Sequence, residues 1–372
     1  MLPPQADVAR LTATLSQLTS AVEELLLSGL TTASDSTRQT LNVAIQEAAR
    51  YRLLRLGSTL RLVLEELGRF TSQDVLFSRR RLAFFLSRAW LLGRGLGHGL
   101  QHGNEKEFDR LNWSPANRPL ADLEVVCMGV SKKVATGAYV AFEFRLRAVN
   151  DAAPVAAGQK LTWSIVCPAK GDARVPPEAF LHLPQKQKFT PYILLEKKKI
   201  AISNANVSID EAGLGRLTLT EQSTMVLGEP YEKWQRFLDW SPASAREQIQ
   251  KHVPGPLDLE TELQTEVVLK DYTISAAEQG ESAGQSIYPV SANGTTYSAL
   301  VVGEVEGKAL TKKLEELRKL KKKRPPLYGL LHYERCRLIF QPLAIFDPDP
   351  DYLTISSENV NKAALLKALK LT

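Results

Sequence analysis

The spacing of hydrophobic positions changes once along this chain, near residue 115. Ahead of that point, Val8, Leu11, Leu15, Leu18, Val22 and Leu25 recur at alternating steps of three and four, with Thr, Ser, Gln and Glu between them. That is one apolar stripe on an amphipathic helix, and Gly29 supplies its stop. Ser36 and Gln39 form a capping-box start for a second helix. Its apolar positions, from Leu41 and Ile45 through Leu60 to Leu67, carry it to Gly68, with a weak point at Gly57. A third helix follows Thr71–Asp74 and runs through Leu82, Phe85, Leu86, Ala89 and Trp90. No proline occurs between Pro4 and Pro115, so nothing in this stretch removes a helical hydrogen bond or clashes with the preceding turn. Three helices with short connections predict an antiparallel bundle over residues 1–103.

Beyond residue 120 the period becomes two. In Tyr139–Ala148 the even positions are apolar, while Glu143, Arg145 and Arg147 fall on the odd ones. Leu161, Trp163, Ile165 and Cys167 alternate with Lys160, Thr162 and Ser164. Such alternation predicts strands with one buried face and one wet face. A strand over Leu123–Val130 precedes them, and Pro176–Leu181 predicts a brief helix. Strands return at Lys197–Ser203, Asn206–Ile209 and Arg216–Thr220. This order matches a five-stranded Greek-key barrel of the oligonucleotide/oligosaccharide-binding (OB) type. The body so read spans residues 120–275, with a helical insert near 231–252 and a strand over Leu257–Leu269 that carries Asp258, Glu260, Glu262 and Glu266 on one face.

A small, polar linker, Ala276–Gln285, leads to a third region over residues 286–372. There Asn293–Gly294 signals a hairpin. Lys308–Lys323 reads as an amphipathic helix ending in a lysine run, and Leu327–Ile345 as strand, with Pro342 at an edge or a bulge. The fold class is therefore α+β: a helical bundle, a β-rich, OB-like body, and a C-terminal extension of hairpin, basic helix and strands.

Composition adds little to this picture. The 372 residues are 44% hydrophobic and 24% charged with a net charge of +6, the profile of an ordinary globular chain with a mild basic excess. No uncharged run approaches the roughly 20 residues of a membrane helix, and no basic segment precedes an apolar one at the N-terminus, so neither membrane span nor secretory leader is expected. Cys127, Cys167 and Cys336 form neither a disulfide framework nor a CxxC pair, which points to a reducing, cytoplasmic setting.

Candidate chemistry is sparse. His98 and His102 stand four apart without a third ligand, in a glycine-rich run (Gly93–Gly99) that reads as a frayed helix end. Asp347, Asp349, Asp351 and Glu358 echo a calcium loop, but Tyr352 stands where that loop needs glycine. Asp258, Glu260, His332 and Cys336 are the only groups to name for an enzyme, and no catalytic motif joins them, so no catalytic residue, metal or cofactor is assigned. Arg79–Arg81 calls for a compensating carboxylate or phosphate near a helix start.

Two binding readings remain. In the first, the chain is a non-enzymatic binding or assembly protein whose helical module, through Leu11, Leu15, Leu18, Val22 and Leu25, docks a protein partner or a second copy of itself. In the second, the outward face of the barrel binds single-stranded nucleic acid: Arg145, Arg147, Lys160, Lys197, Lys198 and Lys199 meet phosphates and Tyr139 stacks on a base.

Overall fold

The computed structural model describes residues 2–30, 35–74, 77–112, 117–135, 139–168, 176–209, 213–240, 264–280, 285–302, 306–334 and 337–355. The helical residues up to 112 belong to one compact unit and the strands from 118 onward to another.

The helical unit contains α1 (Gln5–Ser28), α2 (Asp35–Arg50), α3 (Leu54–Thr71), α4 (Arg79–Gln101) and α5 (Glu105–Asn112). The predicted second helix is thus two. The break falls at Tyr51–Leu53, where Arg52 takes a left-handed φ of +54°, and Gly57 stays helical. The glycine run also departs from expectation, because α4 continues through it to Gln101. The reason is packing. A Cβ at Gly93 would lie 2.8 Å from Thr19 Cγ2, and one at Gly95 2.6 Å from Leu111 Cδ1. Bare backbone at these positions lets α1 and α5 press onto α4, which offsets glycine's helix penalty of about 1 kcal/mol each. Arg81 donates to Glu66 Oε1 at 2.8 Å, and Glu66 is buried, so the last arginine of the triplet finds a carboxylate inside the bundle.

The second unit begins with five strands: β1 (Arg118–Ala135), β2 (Tyr139–Ala148), β3 (Lys160–Pro168), β4 (Lys198–Ile209) and β5 (Gly215–Pro230). They close a barrel in the order β1-β2-β3-β5-β4, with β3 and β5 parallel and the other neighbours antiparallel. That is the OB strand order. β1 closes the barrel because it is shared. Its first half pairs with β4 and its second half with β2, and a register shift between Cys127 and Gly129 turns the corner. The alternation read from sequence holds: Val140, Phe142, Phe144, Leu146, Leu161 and Trp163 all point into one core, with Ile165 packed against it, and Cys167 is buried as well. Short 3-10 turns at Pro177–His182 and Pro191–Leu195 plug it with Leu181, Leu194 and Leu195.

The remaining strands are β6 (Thr265–Leu269), β7 (Thr273–Ile274), β8 (Glu278–Gln279), β9 (Gln285–Ala292), β10 (Thr295–Val302), β11 (Leu327–Glu334), β12 (Arg337–Phe346) and β13 (Pro350–Tyr352), with α6 (Glu306–Lys319) between β10 and β11. The sheet path is β6-β11-β12-β10-β9-β7. Its two ends, β6 and β7, are joined through Lys270–Tyr272, with Asp271 at φ +50°, so the sheet curls back on itself. Taking β6–β7 as one bent strand, this repeats the first barrel's plan: strand one shared between two neighbours, strands three and five parallel (β10 and β12), and a connector whose Leu314 and Leu317 plug the core. The segment read as the end of the first body is therefore the opening strand of a second OB-type barrel. Asn293 and Gly294, both at positive φ, form the β9–β10 hairpin as expected. Pro342 sits beside a register shift opposite Tyr328–Gly329, a bulge that tolerates its missing N–H.

Of the predicted helix over 231–252, the described part is a 3-10 turn at Trp234–Phe237; residues 241–263, including Asp258, Glu260 and Glu262, lie outside the described residues, as do Cys336 and Glu358.

The close approach at α4 makes a direct prediction. Gly93→Val should lower the stability of the helical unit by about 1–3 kcal/mol through overpacking, read as a shifted denaturant midpoint with helicity retained below it. An unchanged midpoint would mean that Thr19 yields without strain and that the glycine is not required there.

Candidate nucleic-acid interface and the seam between barrels

The alternation that buries Phe144 and Leu146 turns Arg145 and Arg147 outward from the first barrel. Both are nonetheless buried, at 4% and 6% exposure. What covers them is β6. Arg147 pairs with the carboxylate of Glu266, itself buried. Arg145 donates to Gln264 Oε1 at 2.9 Å and pairs with Glu143. Burial opposes charge on Glu266, but the Arg147 guanidinium beside it outweighs burial, with help from Lys160 and Arg145, and holds the carboxyl below its usual range. Lys160 shifts down, chiefly from desolvation, which the pull of Glu266 only partly offsets. The Tyr328 hydroxyl beside the pair is driven well above the usual phenol range, first by burial and then by Glu266.

Structure thus brings Arg145, Arg147 and Lys160 together, as the nucleic-acid reading requires, but around a carboxylate of the chain's own second barrel. The cluster rims an apolar seam. Val126 and Met128, on the outside of β1, pack with Val268, Tyr328, Leu330, Leu343, Ala344 and Phe346 and with the Tyr231–Leu238 segment in a core distinct from either barrel interior. Gly129 marks the tightest point: a Cβ there would lie 2.9 Å from both Leu343 Cβ and Tyr328 Cε1. Two hydroxyls lock the edge, Tyr352 Oη donating to Cys127 O at 3.0 Å and Thr354 Oγ1 to Val130 O at 2.6 Å. The Cys127 thiol is pushed up to about 12, chiefly by burial, and Cys167 is raised by burial as well. Both behave as small apolar residues rather than nucleophiles.

The other predicted positions are scattered. Tyr139 is half-buried, on the uncovered half of the β2–β3 face with the 62%-exposed Val166. Lys199 pairs with Glu124 at 3.2 Å, Lys198 is half-buried, and Lys197 is exposed. Lys132, on β1, is tied to the buried Glu178 at 2.8 Å. Leu11, Leu15, Leu18, Val22 and Leu25 lie in the bundle core at 0–3% exposure, so the stripe packs inside its own unit. His98 and His102 stack at 4.2 Å between ring centroids, and no group of three or more metal-ligating side chains occurs among the described residues. No described helix is long and apolar enough to cross a membrane. Sequence reasoning placed Glu266 in an acidic stripe facing water or the Lys197–Lys199 strand, where the structure pairs it with Arg147, and missed Gln264 and Tyr328. The available signal was a lone carboxylate running straight into Val267-Val268-Leu269, a charge entering a buried strand.

The second unit is, as a class, a fused pair of OB-type barrels. No protein-family model matches the chain, and no curated protein matches it. Solved structures similar to it include a p204 HINb domain (TM-score 0.27, 10% identity, covering 61% of this chain and 92% of that one). A murine DNA-binding protein bound with double-stranded DNA gives 0.27 and 11%, covering 59% of this chain and 90% of the other. A replication protein A heterotrimer bound to single-stranded DNA gives 0.27 and 13%, covering 62% and 50%. At such TM-scores we draw nothing from these likenesses; the barrel assignment rests on strand order.

Breaking the buried pair should be far worse than removing it. Arg147→Ala leaves Glu266 uncompensated and should cost about 3–5 kcal/mol, whereas Arg147→Met combined with Glu266→Met should come within about 1 kcal/mol of the parent or exceed it. Glu266 has a depressed folded pKa, so its contribution is present above the ordinary glutamate range and lost as pH falls through the folded value. Urea midpoints against pH for the parent and the double variant test both points. Equal acid sensitivity in the two would show that the pair does not govern it.

Proposed function

We propose that this chain is a non-enzymatic binding protein that takes single-stranded nucleic acid on its fused barrels. The observation that carries the reading is the repeated strand order: a closed barrel and a second sheet on the same plan, of the type whose open faces and loops serve oligonucleotides, held together by an apolar seam. Fold alone does not define function, and the support from side chains is of two kinds. The half of the β2–β3 face left uncovered keeps Tyr139 as a stacking group, with the exposed Lys133 on the neighbouring strand opposite Ala141. Exposed lysines outside the seam supply charge for phosphates. Arg145 and Arg147 have no part in this, because Glu266 and Gln264 hold them.

Fluorescence anisotropy of the full chain with a labelled single-stranded oligonucleotide, at several salt concentrations, tests the proposal. Binding should weaken steeply with salt as counterions are released. Tyr139→Ala should cost about 1–3 kcal/mol of stacking with the salt slope intact. No binding at low salt, or a preference for duplex, would remove the reading.

A second reading keeps the helical unit as a protein-docking module, now through different residues. Leu26 and Leu27 at the end of α1 are 44% and 88% exposed, and Leu54 is 59% exposed. Leu26→Asp with Leu27→Asp should abolish partner recovery or self-association while leaving stability within about 0.5 kcal/mol, as for surface changes elsewhere. Retained recovery by the folded variant counts against docking there.

A further inference from the structure

Resting on the nucleic-acid reading, we propose that the principal phosphate-binding element is the lysine run at the end of α6 and just beyond it, Lys319, Lys321, Lys322 and Lys323, on the second barrel rather than the basic face of the first. Cations at the end of a helix ordinarily answer its unpaired carbonyls and the negative end of its dipole. Here Arg324 does that work. Its guanidinium folds back to donate to Leu317 O at 2.9 Å, Arg318 O at 3.3 Å and Tyr272 O at 3.2 Å. The four lysines are exposed. Among the described residues the one carboxylate within ion-pair reach of them is Asp271, 3.7 Å from Lys323, and both of these side chains are more than two-thirds exposed. Such a pair contributes little.

The run is also held in place at both ends. Upstream, Leu314 and Leu317 are buried in the barrel core. Downstream, Pro325 O accepts from Tyr272 Oη at 3.1 Å and Pro326 O from the Phe346 N–H at 3.0 Å. Two prolines in succession fix φ and prevent the helix from continuing. Four ammonium groups are therefore confined to one short segment, with their mutual repulsion left for an external anion to relieve. Lysine is a point charge without the fork that matches a planar carboxylate. A polymer of phosphodiesters, read without regard to sequence, suits it.

The test compares the full chain with a variant carrying Lys319→Gln, Lys321→Gln, Lys322→Gln and Lys323→Gln, Arg324 retained, using the labelled single strand. Each phosphate contact on a single strand contributes about 0.7 to the slope of log affinity against log salt. The variant should bind more than tenfold more weakly at low salt, with a slope smaller by about 2–3, and its melting temperature should be unchanged. Arg324→Gln is the control: it should lower the melting temperature and leave the slope nearly intact. If the intact chain binds and the quadruple variant keeps its slope, the lysine run is not the site and the wider reading survives. An intact chain that binds no oligonucleotide overturns both. Recovery of an acidic protein competitor at equal affinity would also overturn the assignment to phosphodiesters.

Discussion

The seam between the two barrels is the constraint on which the β-rich unit depends. Its apolar part, from Val126 and Met128 to Tyr328, Leu343 and Phe346, supplies the favourable free energy by removing hydrocarbon from water. The buried Arg147–Glu266 pair adds direction. Desolvating two charges costs several kcal/mol per ion, which mutual attraction roughly returns. Such a pair adds little net stability, yet any sliding of one barrel over the other would separate the charges in a dry setting, where they are costly. The apolar contacts hold the barrels together, and the ion pair sets their register. Gly129 is part of the same device, since a side chain there would keep β1 off β11 and β12.

That constraint redistributes the chemistry of the surface. The two arginines that give the first barrel its basic face become internal counter-charges, and free cations remain elsewhere, above all after α6. Both barrels solve closure alike. A first strand bends so that it can serve two neighbours, and the connector between strands three and four drops leucines into the open end. In the first barrel the bend is the bulge at Cys127–Gly129, and in the second it is the corner at Lys270–Tyr272. The connectors differ, short 3-10 turns in one and α6 in the other, because only buried leucines at the right depth are needed and either geometry delivers them.

Much of the local structure was legible from sequence, for reasons that lie within a few residues. Alternation over Tyr139–Ala148 and Leu161–Cys167 marks which side of a strand is wet before any partner is known, and Asn293–Gly294 accepts the positive φ that a tight hairpin needs. The proline gap permits helix. Local reasoning failed where a neighbour overrides propensity. Four glycines between residues 93 and 99 read as a helix end, yet tertiary packing makes two of them, Gly93 and Gly95, the seats of other helices. The break at Tyr51–Leu53 carries no glycine or proline to announce it. The short β6, interrupted after Leu269, looked like the tail of one body instead of the head of the next.

By itself, then, the amino-acid sequence determined the helical and β-rich halves, the inward and outward faces of the strands, and the OB-type order of the first barrel. Those follow from backbone sterics and side-chain periodicity, which act between near neighbours. Only the tertiary structure decided that the outward Arg145 and Arg147 face protein, that Leu11–Leu25 is spent within its own bundle, and that Arg324 frees the lysines beside it. Whether an outward charge meets water or a carboxylate is settled by residues more than a hundred positions away, as with Arg147 and Glu266. No local pattern encodes that separation; it is fixed by which apolar faces bury one another.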